Sequence, residues 1–247
     1  MPLPRSGAIA LMFTLASSAC IAAAGCGGTS GTGSTGASGS PLAGESGHHV
    51  VSKAVSDATS GPSFTVSGSY YDSGKRLSLD LGYKPPGSCH GTFVLAGRSV
   101  TLTRIGAAGW VRPSASFWKA LPGALGQRAA SLLAGKYLKT SASDPVFGFF
   151  VKACDASQLP STFSNLSALA KNTVTKGAVT TVDGQRALPL KDAKGDTLDV
   201  SDTSAPRILR LANPSASNGV SVTFTYRPVT VTAPPASQTV PGSKYGL

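Results

Sequence analysis

Four cysteines are the side chains with the widest choice of chemistry in this chain of 247 residues. Cys20 and Cys26 stand in and just after an apolar N-terminal run, whereas Cys89 and Cys154 lie in the body of the chain. If the chain is exported, this even pair in an oxidising compartment favours a disulfide between Cys89 and Cys154. Closing a loop of about 65 residues would stabilise the fold by roughly 4 kcal/mol. Two free thiols remain the alternative.

Metal binding is the second chemistry that a cysteine permits. It would need further ligands, and the histidines are His48, His49 and His90. His90 adjoins Cys89, but consecutive residues of a strand point to opposite faces of the sheet. The sequence therefore predicts no metal site and no cofactor.

The motifs of common catalytic sites do not occur in the sequence. There is no GxSxG, no HExxH, no SxxK with SDN and KTG, and no GxxxxGK[ST] phosphate loop. Glycoside chemistry uses two carboxylates across a cleft, but the acids of the C-terminal half fall in and around predicted hairpin turns. We therefore predict that the protein is not an enzyme. Those acids, read as turn formers, are Asp183, Asp192, Asp196, Asp199 and Asp202.

The charge balance is basic, with 22 Lys and Arg against 11 Asp and Glu and a formal net charge of +11. The basic residues are scattered and form no run of four or more. Such a chain either meets a broadly anionic partner, such as a membrane surface, or carries a solvated surface with a basic bias. Nucleic-acid binding usually shows a basic stripe or a known motif, and we predict no nucleic-acid partner.

The N-terminus has the basic, apolar and small-residue segments of an export signal, in that order. MPLPRSG carries one positive charge, and the apolar AIALMFTLASSACIAAA that follows ends in small residues. A membrane-spanning helix is the alternative, but the run is near the lower limit of about 17 to 20 residues and no basic flank follows it. The sequence therefore predicts a signal peptide over residues 1–25.

Ala23-Ala24-Gly25-Cys26 resembles a bacterial lipobox, in which the cysteine is diacylated and becomes the first residue after cleavage. The first position is usually Leu, and the competing Cys20 has a less suitable flank. Residues 27–44, GGTSGTGSTGASGSPLAG, have the composition of a flexible tether with a root-mean-square span of roughly 20 to 25 Å. We expect an acyl anchor at Cys26 in the extracytoplasmic face of the cell membrane, a lipidated tether over 26–44 and one domain over 45–247.

The body of the chain predicts an α+β domain of about ten antiparallel strands. Residues 48–60 have helical spacing, and five strands follow between residues 63 and 113, where Leu77, Leu79 and Leu81 alternate with polar residues. Helical segments are predicted over 114–138, broken at Pro122-Gly123, and over 143–157 and 159–172. Five more strands are predicted from 175 to 228, with an irregular Pro-rich tail from about 233. Helices segregated from strands indicate the α+β class.

Several stretches resemble actinobacterial lipoproteins of the mycobacterial LppX/LprG type. The stretches are FWKAL, LLAGKYLKTSASDP, VTKGAVTTVDGQRALPLKD, GDTLDVSDTSAPRILRL and PVTVTAPP, and the resemblance spans roughly residues 45–235. It implies a curved antiparallel half-barrel with helices packed on its concave face and an apolar cavity between them. It also implies a role in carrying lipids or acylated glycolipids.

The expected function is therefore binding or transfer of lipid in an apolar cleft between sheet and helices, in a protein expected to be a monomer. The alternative is a non-catalytic scaffold or adaptor that binds another envelope protein or a wall polymer. The residues that could line the cleft could equally be plain core. The candidates are Leu79, Leu81, Phe93, Leu95, Leu102, Trp110, Phe117, Trp118, Phe149, Val222 and Phe224.

Overall fold

The computed structural model describes residues 39–72, 74–121, 124–214 and 219–242. The described residues belong to one compact unit. The predicted signal peptide, the lipidation site Cys26, tether residues 27–38 and the predicted helix break at Pro122-Gly123 lie outside the described residues.

The fold is α+β, with a large, open and mostly antiparallel sheet and a few short helices. The described strands are β1 Phe64–Asp72, β2 Lys75–Lys84, β3 Ser88–Leu95, β4 Arg98–Ile105, β5 Ala108–Pro113, β6 Tyr137–Thr140, β7 Thr175–Lys176, β8 Thr180–Val182, β9 Gln185–Lys191, β10 Thr197–Ser201, β11 Ile208–Asn213, β12 Val220–Thr225 and β13 Thr239–Pro241. The α-helices are α1 Gly47–Ser60, α2 Ala115–Lys119, α3 Ala124–Leu132, α4 Gly148–Ala153, α5 Leu159–Thr162 and α6 Ser164–Leu169, with 3-10 turns at Ala156–Gln158 and Ala236–Gln238.

The strand order across the sheet is β13-β6-β5-β4-β3-β2-β1-β12-β11-β10-β9-β7, with β8 paired to β9 as well. The sheet is not closed into a barrel, since β13 lies at one edge and β7 at the other. Each pair is antiparallel except β13 with β6, which is parallel. The five-strand meander β1 to β5 and the second meander β9 to β12 confirm the two predicted runs of strands.

Alternation along the strands places one face of the sheet in the core. In β2 the side chains of Leu77, Leu79 and Leu81 are buried, whereas Asp80 between them is exposed. The same hydrophobic cluster includes side chains of the helices, so the helices cover this face. We call it the helix-covered face and the opposite one the outer face.

Local signals account for several of the helix and turn boundaries. The Ser114 hydroxyl accepts a hydrogen bond from the Phe117 amide at 3.2 Å and begins α2. The Asp144 carboxylate accepts from the amides of Val146 and Phe147 at 2.8 Å each, ahead of α4. The Asp183-Gly184 turn has φ of +48° and +78°, as a two-residue hairpin of type I′ requires.

Two strands were missed by the sequence analysis. Residues 137–140 form β6, although 137 and 138 were included in the predicted helical segment and 139 and 140 were not assigned, and residues 239–241 of the predicted irregular tail form β13. Each has four residues or fewer, which is too short to show an alternating pattern. The two strands pair with each other, with Leu138 opposite Val240. The strand predicted over 175–184 is divided into β7 and β8, so with these two additions the described part of the sheet has thirteen strands rather than about ten.

The domain begins earlier than the predicted boundary at residue 45. Leu42 is fully buried in the core. The Lys176 ammonium donates hydrogen bonds to the carbonyls of Leu42, Ala43 and Glu45 at 3.1, 2.7 and 2.8 Å. Residues 40–44, assigned to the tether because of their small and polar composition, are therefore part of the folded domain.

The chain after β12 crosses the outer face of the sheet. It must travel from β12 to β13, and β1 to β6 lie between these two strands in the sheet order. Gly82 of β2 lies under this segment, because a Cβ atom added there would stand 3.0 Å from the Val229 side chain. Residues 226–238 therefore form a strap across the outer face, and we refer to them as the strap.

Candidate functional site

The predicted cleft residues occupy four kinds of position. Leu95 and Phe117 are half-buried and pack against the core, Phe149 is 44% exposed, and Trp110 is half-buried. The remaining seven have at most 5% of their surface exposed and form part of one continuous core. These seven are Leu79, Leu81, Phe93, Leu102, Trp118, Val222 and Phe224.

Trp110 does not lie between the sheet and the helices. Its neighbour in β5, Val111, is fully buried and stands opposite Leu102 of β4 on the helix-covered face. Because consecutive strand residues alternate, Trp110 and its partner Thr103 face outward. The assignment of Trp110 to the cleft was therefore wrong, since it rested on the size of the ring and not on strand register.

Aromatic rings connect β3 to α2 and α4. The Phe93 ring centroid lies 5.4 Å from that of Phe150 and 6.3 Å from that of Phe149. The Phe117 ring lies 6.4 Å from Phe150 and 5.9 Å from Trp118. Edge-to-face and tilted contacts at these separations are favourable for aromatic rings. We call the following residues the aromatic cluster: Phe93, Phe117, Trp118, Phe147, Phe149 and Phe150.

The aromatic cluster contains one unpaired polar group. Trp118 is fully buried, and its indole Nε1 has no hydrogen-bond partner among the described residues. The ring contacts Phe147 edge-on, with centroids 5.8 Å apart. Leaving a buried donor unsatisfied costs about 1 to 3 kcal/mol. The cluster therefore holds one buried donor that no described residue satisfies.

A disulfide attaches one end of α4 to the sheet. Cys89 of β3 and Cys154, directly after α4, are bonded with their Cα atoms 5.4 Å apart. The Tyr83 hydroxyl donates to the Ala153 carbonyl at 2.7 Å. Burial raises the pKa of Tyr83 far above its ordinary value, and the charge of Asp155 adds to this effect. Tyr83 is therefore a neutral donor that holds the same end of α4.

Asp155 and Arg104 extend this attachment by an ion pair. Nη1 of Arg104 lies 2.6 Å from Oδ2 of Asp155, and both side chains are largely buried. Burial acts to raise the pKa of Asp155, but hydrogen bonds from Arg104 and from Ser157 outweigh it and hold the pKa below its ordinary value. Asp155 is thus a structural carboxylate that fixes the chain after α4.

A second feature is a cleft of about 560 Å³ at the end of the sheet where β10 and β12 finish and β11 begins. Its lining includes Arg207, Tyr226 and Arg227, together with the hydroxyl side chains of Thr203 and Thr225. A second depression of about 340 Å³ shares the same two arginines and the tyrosine. We call the larger of these the cationic cleft.

The two arginines of the cationic cleft differ in their partners. Arg207 lies over the Tyr226 ring at 5.1 Å, and its Nε is 3.4 Å from Oδ2 of Asp57 in α1. Arg227 is exposed and has no ion pair or hydrogen bond with any described residue. Sequence analysis missed this site, because residues 207 and 227 meet only through the pairing of β11 with β12.

The acids considered for catalysis hold turns and strands. Asp192 accepts hydrogen bonds from the amides of Lys194 and Asp196 within its hairpin, and Asp199 pairs with Arg210 at 2.7 Å. Asp196 accepts from two asparagine side chains, and Asp202 pairs with Arg186 at 2.8 Å. Asp183 occupies the tip of the β8–β9 hairpin. None of these four partnered carboxylates faces another across a cleft among the described residues.

Within the described part of the chain, no three His, Cys, Asp or Glu side chains are grouped closely enough to hold a metal ion. Across the same residues, none of the helices is long and apolar enough to cross a membrane.

Comparisons with known proteins give a structural likeness alone. No family model matches the chain, and no curated protein matches it. Among solved structures, the chain is similar to an uncharacterized conserved protein from Thermus thermophilus, at 11% sequence identity and a TM-score of 0.36. The alignment covers 78% of this chain and 97% of the other.

Proposed function

We propose that the protein is an exported lipoprotein, anchored through acylated Cys26, that binds the acyl chain of a lipid or acylated glycolipid at the aromatic cluster. In this proposal the open sheet is the half-barrel of the LppX/LprG type, and the helices occupy its concave face. The motif at Ala23-Ala24-Gly25-Cys26 supports the anchor. The aromatic cluster supports the ligand.

One observation carries the acyl-binding proposal. The aromatic cluster runs without interruption from Trp118, which is fully buried, to Phe149, which is 44% exposed. An acyl chain that replaced the solvent at Phe149 and followed these rings inward would gain about 0.8 kcal/mol per buried methylene. The unpaired indole N–H of Trp118 would then meet an ester or carboxyl oxygen. Both the apolar path and the single donor suit a lipid.

Space for an acyl chain would come from movement of α2 and not of α4. The disulfide and the Tyr83 hydrogen bond hold the end of α4 on the sheet. Helix α2 has five residues, and its contacts with α4 are ring contacts, such as Phe117 with Phe147 at 6.1 Å. Separating these rings opens the interior between α2 and α4, while the disulfide keeps the sheet side intact.

The test is whether protein purified without detergent carries lipid. Native mass spectrometry should show an adduct that organic extraction removes, and a fluorescent fatty acid should bind the extracted protein. Phe149→Ser should weaken binding of this probe roughly three- to tenfold, since it removes an aromatic contact at the mouth of the path. Tyr71→Ser is the matched control, because Tyr71 is an exposed aromatic residue outside the cluster. Protein without an adduct and without probe binding would rule out the proposal.

The second candidate is an envelope adaptor, and the close packing of the core favours it. Seven of the eleven cleft candidates are at most 5% exposed, as expected for residues that only stabilise a fold. An adaptor would bind through its surface, so probe binding would be absent while a wall or envelope pull-down would depend on basic surface residues. The fatty-acid experiment therefore separates the two candidates.

A further inference from the structure

The start of the folded domain lies beside the cationic cleft. Gly39 is the first described residue, and the Ser40 hydroxyl donates a hydrogen bond of 2.5 Å to Asp202. Asp202 directly follows β10 and stands between Ser201 and Thr203, which both line the cationic cleft. The chain that leads back to Cys26 therefore leaves the domain at the end of the sheet that carries the cleft.

The length of this chain limits the distance between the domain and its anchor. Cys26 and Ser40 are separated by 14 positions, the difference of their residue numbers. Even a fully extended chain of that length spans no more than about 50 Å. If Cys26 is acylated, the cleft end of the domain can lie no farther than this from the anchor.

Charge at the cleft end favours an anionic ligand. Three carboxylates there are paired with cations: Glu45 with Lys53 at 3.0 Å, Asp202 with Arg186 at 2.8 Å and Asp57 with Arg207 at 3.4 Å. Arg227 lines the cleft and has no such partner among the described residues, whereas Asp183, which also has no ion pair at this end, is not part of the lining.

The donors of the cleft are of the types that bind phosphate. A guanidinium presents a planar set of N–H donors that binds phosphate oxygens in pairs. Two such groups, Arg207 and Arg227, line one cleft with the hydroxyls of Thr203 and Thr225. The cleft volume of about 560 Å³ is ample for a head group.

We propose that the cationic cleft binds the phosphate of an anionic phospholipid head group in the same membrane that holds the anchor. This inference rests on the proposed anchor at Cys26, but not on acyl binding at the aromatic cluster. Binding orients the domain, with the ends of β10 and β12 toward the bilayer and the β3–β4 turn away from it. The acyl chains then need not leave the membrane, since the cleft contacts only the head group.

The experiment uses residues 27–247, which lack both the apolar N-terminal run and Cys26, so that vesicle binding does not report the N-terminus. Co-sedimentation with vesicles of phosphatidylglycerol and phosphatidylcholine should exceed that with phosphatidylcholine alone. Each arginine near an anionic surface contributes about fivefold to binding, so Arg207→Gln with Arg227→Gln should reduce it about 25-fold. Arg98→Gln is the charge-matched control, because Arg98 is exposed and begins β4 at the opposite end of the strands.

The single variant Arg227→Gln controls for a folding defect, since this exposed side chain makes no ion pair or hydrogen bond with a described residue. The thermal unfolding temperature of this variant should match that of the parent protein. Equal losses of vesicle binding in Arg98→Gln and in Arg227→Gln would overturn the proposal. Binding to phosphatidylcholine vesicles that equals binding to the anionic vesicles would overturn it too. Binding of glycerol phosphate that needs both arginines, without vesicle binding, would also overturn it in favour of a free anion. Failure of the Cys26 anchor in cells, with vesicle binding retained, would refute the anchor and leave the cleft assignment standing.

Discussion

At the scale of single residues, cysteines and arginines differ in how far their roles can be predicted. Counting cysteines was enough to select Cys89 and Cys154, because they are the one pair that remains once Cys20 and Cys26 are assigned to the predicted signal peptide and anchor. Arg207 and Arg227 are twenty positions apart, and nothing in their flanking residues sets them apart from other arginines. Their shared cleft depends on the register of β11 with β12, which single residues do not encode.

Asp155 gives a prediction at this scale. Asp155→Asn should lower the free energy of unfolding at pH 7 by about 1 to 3 kcal/mol, because Arg104 loses a charged partner. The pKa of Asp155 is lowered from 3.8, so its stabilising effect is complete above that value and is lost as the pH falls through the folded-state pKa. The difference in unfolding free energy between wild type and variant, from urea unfolding, should therefore shrink as the pH falls below about 4.

Asp80→Asn is the matched control for this experiment. Asp80 lies on the outer face of β2, is exposed, and makes no hydrogen bond or ion pair through its side chain with any described residue. Its substitution should leave the stability within about 0.5 kcal/mol at every pH tested. The difference in free energy of unfolding between wild type and Asp155→Asn could instead stay constant down to pH 2. That result would show that the carboxylate charge is not what stabilises this end of α4.

At the scale of elements, the long strands were predictable and the short ones were not. Strands β1 to β5 have six to ten residues, enough to show alternation between a buried and an exposed face. Strands β6 and β13 have four and three residues, and they exist because each supplies the other with backbone partners. Helix α4 has six residues and depends on attachment to the sheet, because isolated helices of this length are unstable in water.

The disulfide gives the prediction at this scale. Replacing Cys89 and Cys154 together by alanine should lower the free energy of unfolding by roughly 3 to 4 kcal/mol, since the bond closes a loop with a sequence separation of 65. Hydrogen exchange should show the largest loss of protection in α4. In dithiothreitol, the free energy of unfolding of the wild type should fall toward that of the variant. An unfolding transition that dithiothreitol does not change would contradict the prediction.

At the scale of the whole molecule, the sheet is completed by segments distant in sequence. The alternation of hydrophobic and polar residues predicts neither β13, at one edge of the sheet, nor the strap over the outer face. The fold class and the order of the two meanders could be inferred from pattern alone. The path of the tail could not, because a proline-rich segment makes few backbone hydrogen bonds and is positioned by the surface beneath it.

Removal of β13 tests the role of the tail. A chain ending after Thr232 lacks β13 and leaves one edge of β6 unpaired, and exposed edges pair with other chains. We expect self-association that increases with concentration in sedimentation velocity, together with a loss of roughly 1 to 2 kcal/mol of stability, because the core loses its packing with Val240.

A chain ending after Gly242 is the matched control, because it loses only residues 243–247 and keeps β13 paired with β6. It should sediment as the full-length protein does at every concentration. Association of both truncated chains would implicate the last five residues rather than the sheet edge. Association of the shorter chain alone establishes that the pairing of Leu138 with Val240 protects this edge, and that the strap serves to deliver β13 to it.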